Sequence, residues 1–232
     1  MCYNINDIKK GELFLIDKQN INNIPFFSSL NDTTLEELSK IAKIKKFFFG
    51  DILFYEKDQQ NDIFYLINGS IKFYKVDRFD SEIFLYKITS NTLVFDISKF
   101  CDEHIISCYA NAEFTEDSEV LIFDKIKFKE LLYSNEELMK IVMKESFRMI
   151  QQLQCIISRD VVFDGTAKVA HMLVNDLKNF NTFKKHETAY ILHIQPETLS
   201  RILKKLTRNG IIEIEKNCVK ILNIDELREI YE

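Results

Sequence analysis

The segment KHETAYILHIQPETLSRILKKLTRNG, residues 185–210, constrains the fold of this chain more than any other part of it. Its small and apolar residues fall where two short helices that cross at a steep angle must bury them. These positions are Thr188, Ala189, Leu192, Ile194, Leu199 and Ile202. The spacing predicts a helix-turn-helix, although an ordinary amphipathic helical hairpin would bury the same residues.

The residues after this segment favour the helix-turn-helix. Asn209 and Gly210 should end the second helix, because glycine tolerates the left-handed conformation that is common at helix ends. Residues 211–222 then alternate as two short strands around Lys216 and Asn217, which predicts a β-hairpin. A helix-turn-helix followed by a hairpin is a winged helix.

Charge and polarity in this region indicate contact with nucleic acid. Residues 184–220 carry eight Lys or Arg against four Asp or Glu, in a chain whose net charge is -5. Such local basicity on an acidic protein is typical of a surface that contacts phosphates. The second helix also carries side chains that can hydrogen-bond to DNA in a major groove: Gln195, Glu197, Thr198, Ser200, Arg201, Lys204 and Lys205.

The core of that helix, Glu197-Thr198-Leu199-Ser200-Arg201, resembles the E-T-x-S-R recognition helix of the Crp/Fnr family of bacterial transcription regulators. Weaker similarities run through nearly the whole chain, at residues 27–30, 50–54, 63–69 and 165–170. The resemblance implies an α+β fold with three parts. These are an N-terminal antiparallel β-roll that senses an effector (1–134), a long dimerisation helix (135–160) and a C-terminal winged helix-turn-helix (161–232).

Roles for the recognition-helix residues follow from this resemblance and from base chemistry. We expect Glu197, Ser200 and Arg201 to contact bases, with Arg201 donating two hydrogen bonds to guanine and Glu197 accepting from an amine. The resemblance implies a palindrome of TTGA-like half-sites. Phosphate contacts are expected from Gln195, Thr198, Lys204 and Arg208. Pro196 fits the first helical position, and His193 stands where the motif usually has glycine, so we expect its φ to be positive.

The N-terminal part of the chain agrees with a roll. Residues 50–124 contain short alternating segments typical of antiparallel strands: DILFYE, DIFYLING, SIKFYKVD, SEIFLYKIT and EVLIFD. Before them, Asn31 and the following residues through Ala42 predict a capped amphipathic helix.

Residues 135–159 predict one long helix with two apolar rows. The first row has heptad spacing and is assigned to a homodimer interface: Leu138, Val142, Glu145, Met149, Gln152 and Ile156. Polar Glu145 and Gln152 would fix its register. The second row, with Met139, Met143, Ile150, Leu153 and Ile157, would pack on the roll. A helix buried wholly within one subunit is the alternative.

The sensor site departs from the family's cyclic-nucleotide pattern, in which an Arg beside Ser or Thr holds the phosphate. Cys108 stands at the Arg position, and no Arg occurs between Arg78 and Arg148. Asp96, Asp102 and Glu103 add like charge to the phosphate. We therefore expect the effector to be something other than cyclic AMP. An iron–sulfur cluster is also not expected, because only Cys2 is available near the N-terminus and four ligands are needed.

Cys101, His104 and Cys108 are the possible sensor residues. They could form a redox or nitric-oxide switch, or could bind haem or a metal, so haem stays a candidate cofactor. The spacing is no standard metal motif, and small buried cysteines are also common core residues. The effector is left unknown.

Other function classes have little support in the sequence. There is no G-x-S-x-G, Walker A, H-E-x-x-H or G-x-G-x-x-G pattern, so we do not expect an enzyme. A cyclic-nucleotide-binding module that regulates a partner protein would lack the recognition helix. Five cysteines without a C-x-x-C pair, no long apolar run and no signal pattern lead us to expect a cytoplasmic protein without membrane contact. Its expected partners are double-stranded DNA, RNA polymerase, a second copy of the chain and a small effector.

Overall fold

A computed structural model describes residues 13–59, 61–94, 108–216 and 218–231. The chain divides into two compact units, one ending at Ile150 and the other beginning at Gln151. This division falls inside a long helix. The expected domain boundaries, after residues 134 and 160, stay a prediction.

The first described elements of the first unit are a strand and two helices that lead into a second strand. Their bounds are β1 (Leu13–Leu15), α1 (Lys18–Asn22), α2 (Asp32–Ile41) and β2 (Ala42–Phe47). The predicted cap of α2 is confirmed, because the Asn31 side chain accepts a 2.9 Å hydrogen bond from the Thr34 backbone N–H. Leu35 and Leu38 are buried on the inner face of this helix.

Antiparallel strands follow in this unit, as the sequence predicts. They are β3 (Ile52–Phe54), β4 (Asp62–Asn68), β5 (Ser70–Val76), β6 (Glu82–Thr89), β7 (Thr92–Val94), β8 (Asn111–Phe114) and β9 (Ser118–Asp124). One sheet has the order β1-β2-β9-β4-β7 and the other β3-β8-β5-β6. All five strand segments expected from alternation form strands, whereas β1, β2, β7 and β8 were not predicted.

Aromatic side chains fill the space between the sheets and the helices. Tyr65 of β4 is fully buried and its ring lies 5.2 Å from that of Phe27. Phe123 of β9 lies 5.0 Å from Phe128, and Phe73 stacks on Tyr86 at 4.6 Å. Strand β6 shows the expected alternation of buried and exposed residues, whereas four successive residues of β4, 63–66, are all buried, so β4 is covered on both faces.

Gly69, between β4 and β5, is required by close packing. Its φ is +102°, and a Cβ there would lie 2.8 Å from the Cα of Ser118 and still closer to that residue's side chain. No side chain fits this position without a shift of the β9 backbone.

Helix α3 (Lys125–Ser134) leads into the long helix α4 (Glu136–Val162). Four residues of the row assigned to a partner are buried within a single chain, which contradicts that assignment for them: Leu138, Val142, Glu145 and Met149. Leu138 and Val142 belong to the core of the first unit. Gln152 and Ile156 are partly buried.

A neighbouring row of α4 faces solvent instead. Its apolar members are between 44% and 78% exposed: Met143, Phe147, Ile150, Ile157 and Val161. The prediction is thus wrong for Met143, Ile150 and Ile157 of the second row, which face solvent, whereas Met139 of that row packs against the core of the first unit as expected. These exposed side chains also contradict the alternative of a helix that is buried on all sides within one subunit.

The second unit continues from α4 with short helices and a hairpin. Their bounds are α5 (Gly165–Asn175), α6 (Leu177–Thr182), α7 (Lys185–Ile191), α8 (Pro196–Arg208), β10 (Ile212–Glu215), β11 (Cys218–Ile221) and α9 (Ile224–Glu229). Val169, Ala189, Leu199 and Leu206 are buried in its core. This is the predicted helix-turn-helix with its wing.

Candidate nucleic-acid interface

The turn between α7 and α8 has the backbone that the sequence predicts. His193 has a φ of 53°, a left-handed conformation that His adopts more readily than most residues. The Ile194 backbone N–H donates to the Ala189 carbonyl at 3.0 Å and closes the turn. Pro196 is the first residue of α8, where its missing N–H costs nothing.

Helix α8 is strongly amphipathic. Leu199, Ile202, Leu203 and Leu206 are buried in the second unit. The opposite side is polar and largely basic, so the core fixes which side chains the helix presents to solvent.

Four charged side chains of α8 form one line on the exposed side. Glu197, Arg201, Lys204 and Arg208 are all exposed, and their spacing of four, three and four places them along one face. At about 1.5 Å per residue this line is about 16 Å long. An α-helix fits the roughly 12 Å wide major groove of DNA, so the line can follow base edges and the flanking phosphates.

The remaining predicted contact residues flank this line. Gln195 is the exposed N-cap residue of α8, and Ser200 and Thr198 are partly buried. Thr198 turns its methyl group toward Gly165, since a Cβ there would lie 3.8 Å from it. The structure therefore brings all seven predicted contact residues onto one helix and its cap.

Further basic groups surround the recognition helix. Lys184 and Lys185 are exposed at the start of α7, where the Lys184 backbone N–H donates to Glu187 at 2.7 Å. Lys205 of α8 is also exposed. Lys216, in the turn of the wing, has a φ of 47°. Asn217, predicted for the same turn, lies outside the described residues.

The wing is attached to the core by a side chain that the sequence did not single out. Asn181 of α6 donates to the Val219 carbonyl at 3.0 Å and accepts from the Val219 N–H at 2.8 Å. One amide thus pairs with both backbone groups of a wing residue, which orients β11 against α6. An isolated Asn carries no sequence signal for this role.

The possible sensor residues are only partly described. Cys101 and His104 lie outside the described residues, as do Asp96, Asp102, Glu103 and Cys2. Cys108 is buried, and its backbone pairs with the turn at Lys57 and Asp58 through bonds of 2.7 and 3.1 Å. The thiol is therefore part of the roll's packed interior.

A polar cluster that the sequence did not predict lies between α4 and strands β4 and β7. Arg148 donates to Glu145 from Nε at 2.9 Å and from Nη2 at 2.5 Å, and Nη2 also lies 3.5 Å from the Thr92 hydroxyl. These bonds to Glu145 raise the pKa of Arg148. The buried Tyr65 hydroxyl has no hydrogen-bond partner among the described residues, and its burial raises its pKa.

Two family models match the chain. The model of the Crp-like helix-turn-helix domain matches residues 167–230, and that of the cyclic nucleotide-binding domain matches residues 44–135. Together they cover both units in the order that the resemblance implies. The chain belongs to the Crp/Fnr family of transcription regulators. No curated protein sequence gives a significant match.

Solved structures share the fold of this Crp/Fnr regulator. A Crp/Fnr-family protein from Eubacterium rectale is 15% identical with a TM-score of 0.67, over 90% of this chain and 98% of that one. A CooA variant from Carboxydothermus hydrogenoformans is 17% identical with a TM-score of 0.66, over 94% and 97%. The c-di-GMP-responsive regulator CLP of Xanthomonas campestris is 15% identical with a TM-score of 0.62, over 82% and 99%.

The described residues of this regulator include no candidate membrane span and no candidate metal site. None of their helices is long and apolar enough to cross a membrane. Among the same residues, His, Cys, Asp and Glu form no group of three that could hold a metal ion.

Proposed function

We propose that this Crp/Fnr regulator is a homodimer that binds an inverted repeat of TTGA-like half-sites through α8, under the control of a small effector in the roll. The exposed line of Glu197, Arg201, Lys204 and Arg208 carries the proposal. The buried apolar side of α8 fixes the direction of this line, so the four side chains can meet DNA together.

The chemistry of these side chains assigns their roles. Arg201, in the middle of the line, donates two hydrogen bonds to O6 and N7 of guanine, and Glu197 accepts from a cytosine or adenine amine. Ser200 is partly exposed and serves the adjacent base edge. Gln195, Thr198, Lys204 and Arg208 contact phosphates, which set the orientation of the helix but carry no sequence information.

Dimerisation is proposed through the exposed row of α4. Met143, Phe147, Ile150, Ile157 and Val161 follow a spacing of four, three, seven and four, which is the repeat of a coiled-coil seam. A row of large apolar side chains in water is unfavourable, and the same row of a second copy covers it. Two parallel copies also supply the two recognition helices that a palindrome requires.

The effector is proposed to be other than a cyclic nucleotide. Cys108 stands at the position where the family pattern has Arg, and it is buried. The first described guanidinium after Arg78 is that of Arg148, and Glu145 already holds it through two hydrogen bonds. A cyclic phosphate in the roll would have to displace that carboxylate, which would leave a buried charge without a partner.

Two other sensor mechanisms stay within the proposal. Cys101, His104 and Cys108 would make the regulator redox- or nitric-oxide-responsive, or would bind haem. A cyclic-nucleotide-binding regulatory module is a weaker alternative, although the CLP relative is c-di-GMP-responsive. The absorption spectrum of anaerobically purified protein separates them, since a Soret band identifies haem. The proposal also includes RNA polymerase as a partner and a cytoplasmic location. Both rest on the family resemblance alone.

Binding to a designed duplex tests the proposal. One duplex carries two inverted TTGA half-sites whose centres are about 10 bp apart, and the other carries the same bases scrambled. We expect one dimer per inverted repeat, at least about 10³-fold tighter than on the scrambled duplex. Equal affinity for both would overturn sequence-specific recognition, and one monomer per half-site without dimers would overturn the assembly.

A further inference from the structure

The last turn of the long helix contacts the DNA-binding motif through one carboxylate. Asp160 lies two residues before the end of α4, inside the second unit. Its Oδ2 is 3.5 Å from Nδ1 of His193, and its Oδ1 is 3.8 Å from Nζ of Lys168. A single side chain of α4 therefore reaches both α5 and the turn before the recognition helix.

The contact between Asp160 and Lys168 is largely shielded from solvent. Lys168 is only 7% exposed, and the Asp160 side chain is 20% exposed. The Asp160 carboxylate supplies an opposite charge beside this buried ammonium, which is unfavourable without one. Lys168 thus holds Asp160 in place, because moving the carboxylate away would leave the ammonium uncompensated.

The contact between Asp160 and His193 lies at the turn that orients the recognition helix α8. His193 lies three residues before Pro196, the first residue of α8, and its backbone is fixed in a left-handed conformation by the turn. Its backbone N–H donates to the Tyr190 carbonyl at 3.2 Å. Because the backbone of the turn is fixed, the position of the His193 imidazole is coupled to the position of the start of the recognition helix.

The junction between α4 and α5 also packs on α8. A Cβ built on Gly165 would lie 3.4 Å from Cδ1 of Ile202 and 3.6 Å from Cγ2 of Ile194. Asp164 caps α5 by accepting 2.8 Å bonds from Thr166 and Ala167. The end of α4, the cap of α5 and the start of α8 are therefore neighbours in one packed corner.

We propose that Asp160 is a positioning residue for DNA binding, which sets the direction of the recognition helix by holding His193 while Lys168 holds Asp160. The proposal rests on the proposed recognition of DNA by α8. Asp160 thus links the last turn of α4 directly to the recognition helix α8. Asp160 itself contacts no base or phosphate in this scheme.

The first test measures binding by Asp160→Asn, which removes the charge and keeps the shape. A misdirected recognition helix loses base contacts before it loses phosphate attraction, so we expect about a 10-fold loss on the inverted repeat, which is about 1.4 kcal/mol. On the scrambled duplex we expect less than about a 2-fold change. The matched control is Asp225→Asn, an exposed carboxylate of the same unit, which should bind both duplexes like the wild type.

A second variant separates positioning from folding. Asp160→Asn leaves Lys168 uncompensated and is expected to lower the melting temperature. Asp160→Asn combined with Lys168→Met removes both charges at similar side-chain volume and should recover the melting temperature. If the double variant melts like the wild type and still binds the inverted repeat about 10-fold more weakly, loss of stability does not explain the weaker binding. Recovery of full affinity would overturn the role of the His193 contact.

A double-mutant cycle with His193→Asn identifies the path of the effect, because Asn tolerates the same left-handed backbone. If Asp160 acts through His193, each single change weakens specific binding and the pair weakens it no further. Additive losses would overturn the proposal. The same cycle can be measured by thermal unfolding without DNA, so it tests the contact between Asp160 and His193 even if the wild type does not prefer the inverted repeat. Additive changes in melting temperature would overturn the contact, and non-additive changes would support it.

Discussion

Glu145 and Arg148 form a two-bond ion pair on one face of the long helix, with Nε to Oε2 at 2.9 Å and Nη2 to Oε1 at 2.5 Å. The carboxylate is buried, whereas the guanidinium side chain is half exposed. Next to the pair, the Tyr65 hydroxyl is buried without a partner among the described residues. This polar cluster lies between α4 and the roll, where the sequence predicts apolar packing.

Tyr65→Phe should stabilise the protein by about 1 kcal/mol, because it removes a buried hydroxyl whose desolvation is not repaid by a hydrogen bond. Chemical denaturation at pH 7 measures this change. A loss of stability greater than about 1 kcal/mol would show that the hydroxyl has a bonding partner in the folded protein.

The same substitution should also change how stability depends on pH. The pKa of Tyr65 in the folded state is raised above 10.0, so the unfolded chain releases this proton first. The stability associated with the protonated hydroxyl is fully present below pH 10 and is lost as the pH rises above it. The advantage of Tyr65→Phe over the wild type should therefore grow above pH 10, by up to about 1.4 kcal/mol per pH unit. A constant difference from pH 8 to 11 would contradict this.

The exposed row of α4 predicts opposite outcomes for two kinds of Glu substitution. Phe147→Glu with Ile150→Glu places charges on the proposed dimer seam, and should give folded monomers in sedimentation. Val142→Glu places a charge in the core of the first unit, and should destabilise the fold by about 3 kcal/mol or more. Dimers that persist in the first variant would show that the seam lies elsewhere.

Gly69→Ala should destabilise the first unit by roughly 2–4 kcal/mol, because the new Cβ meets the backbone of Ser118 and the φ of +102° is strained for alanine. The matched control is Gly50→Ala, where φ is also positive but no atom lies within 4 Å. That change should cost only about 1 kcal/mol. Equal losses in thermal unfolding would mean that backbone strain alone accounts for Gly69.

Cyclic AMP and cyclic GMP should leave the melting temperature unchanged at millimolar concentration. A ligand at 100 times its dissociation constant would stabilise the native state by about 2.7 kcal/mol, which a thermal scan detects. A saturable upward shift that disappears in Arg148→Ala would contradict the expectation and would identify Arg148 as the phosphate ligand.

The recognition motif could be predicted closely because its determinants are local. The positive φ at His193, the proline that starts α8 and the glycine after its end each follow from the backbone preference of one residue. The amphipathic spacing of Leu199 and Ile202 then fixes the exposed face.

Which side of α4 packs on the roll could not be predicted in the same way. Two apolar rows run along one helix, and periodicity alone does not say which row meets the roll. Glu145 was read as a polar residue of an interface, but its bonds run to Arg148, three residues along the same helix. An acid and a base at that spacing are a sequence signal for an intrahelical pair. Strand β2 was missed, and its first residue Ala42 was assigned to the preceding helix, although buried Ala42 and Ile44 flank exposed Lys43 in a visible alternation.

The most direct test of the account measures wild type and Arg201→Ala on the inverted repeat and on duplexes with each half-site base replaced in turn. Arg201→Ala should lose about 1–3 kcal/mol per half-site and should no longer distinguish guanine at one position, while Lys204→Ala weakens all duplexes alike and lowers the salt dependence. If Arg201→Ala weakens binding to every duplex equally and keeps the base preferences of the wild type, Arg201 does not recognise a base and the proposed recognition of DNA by α8 is wrong.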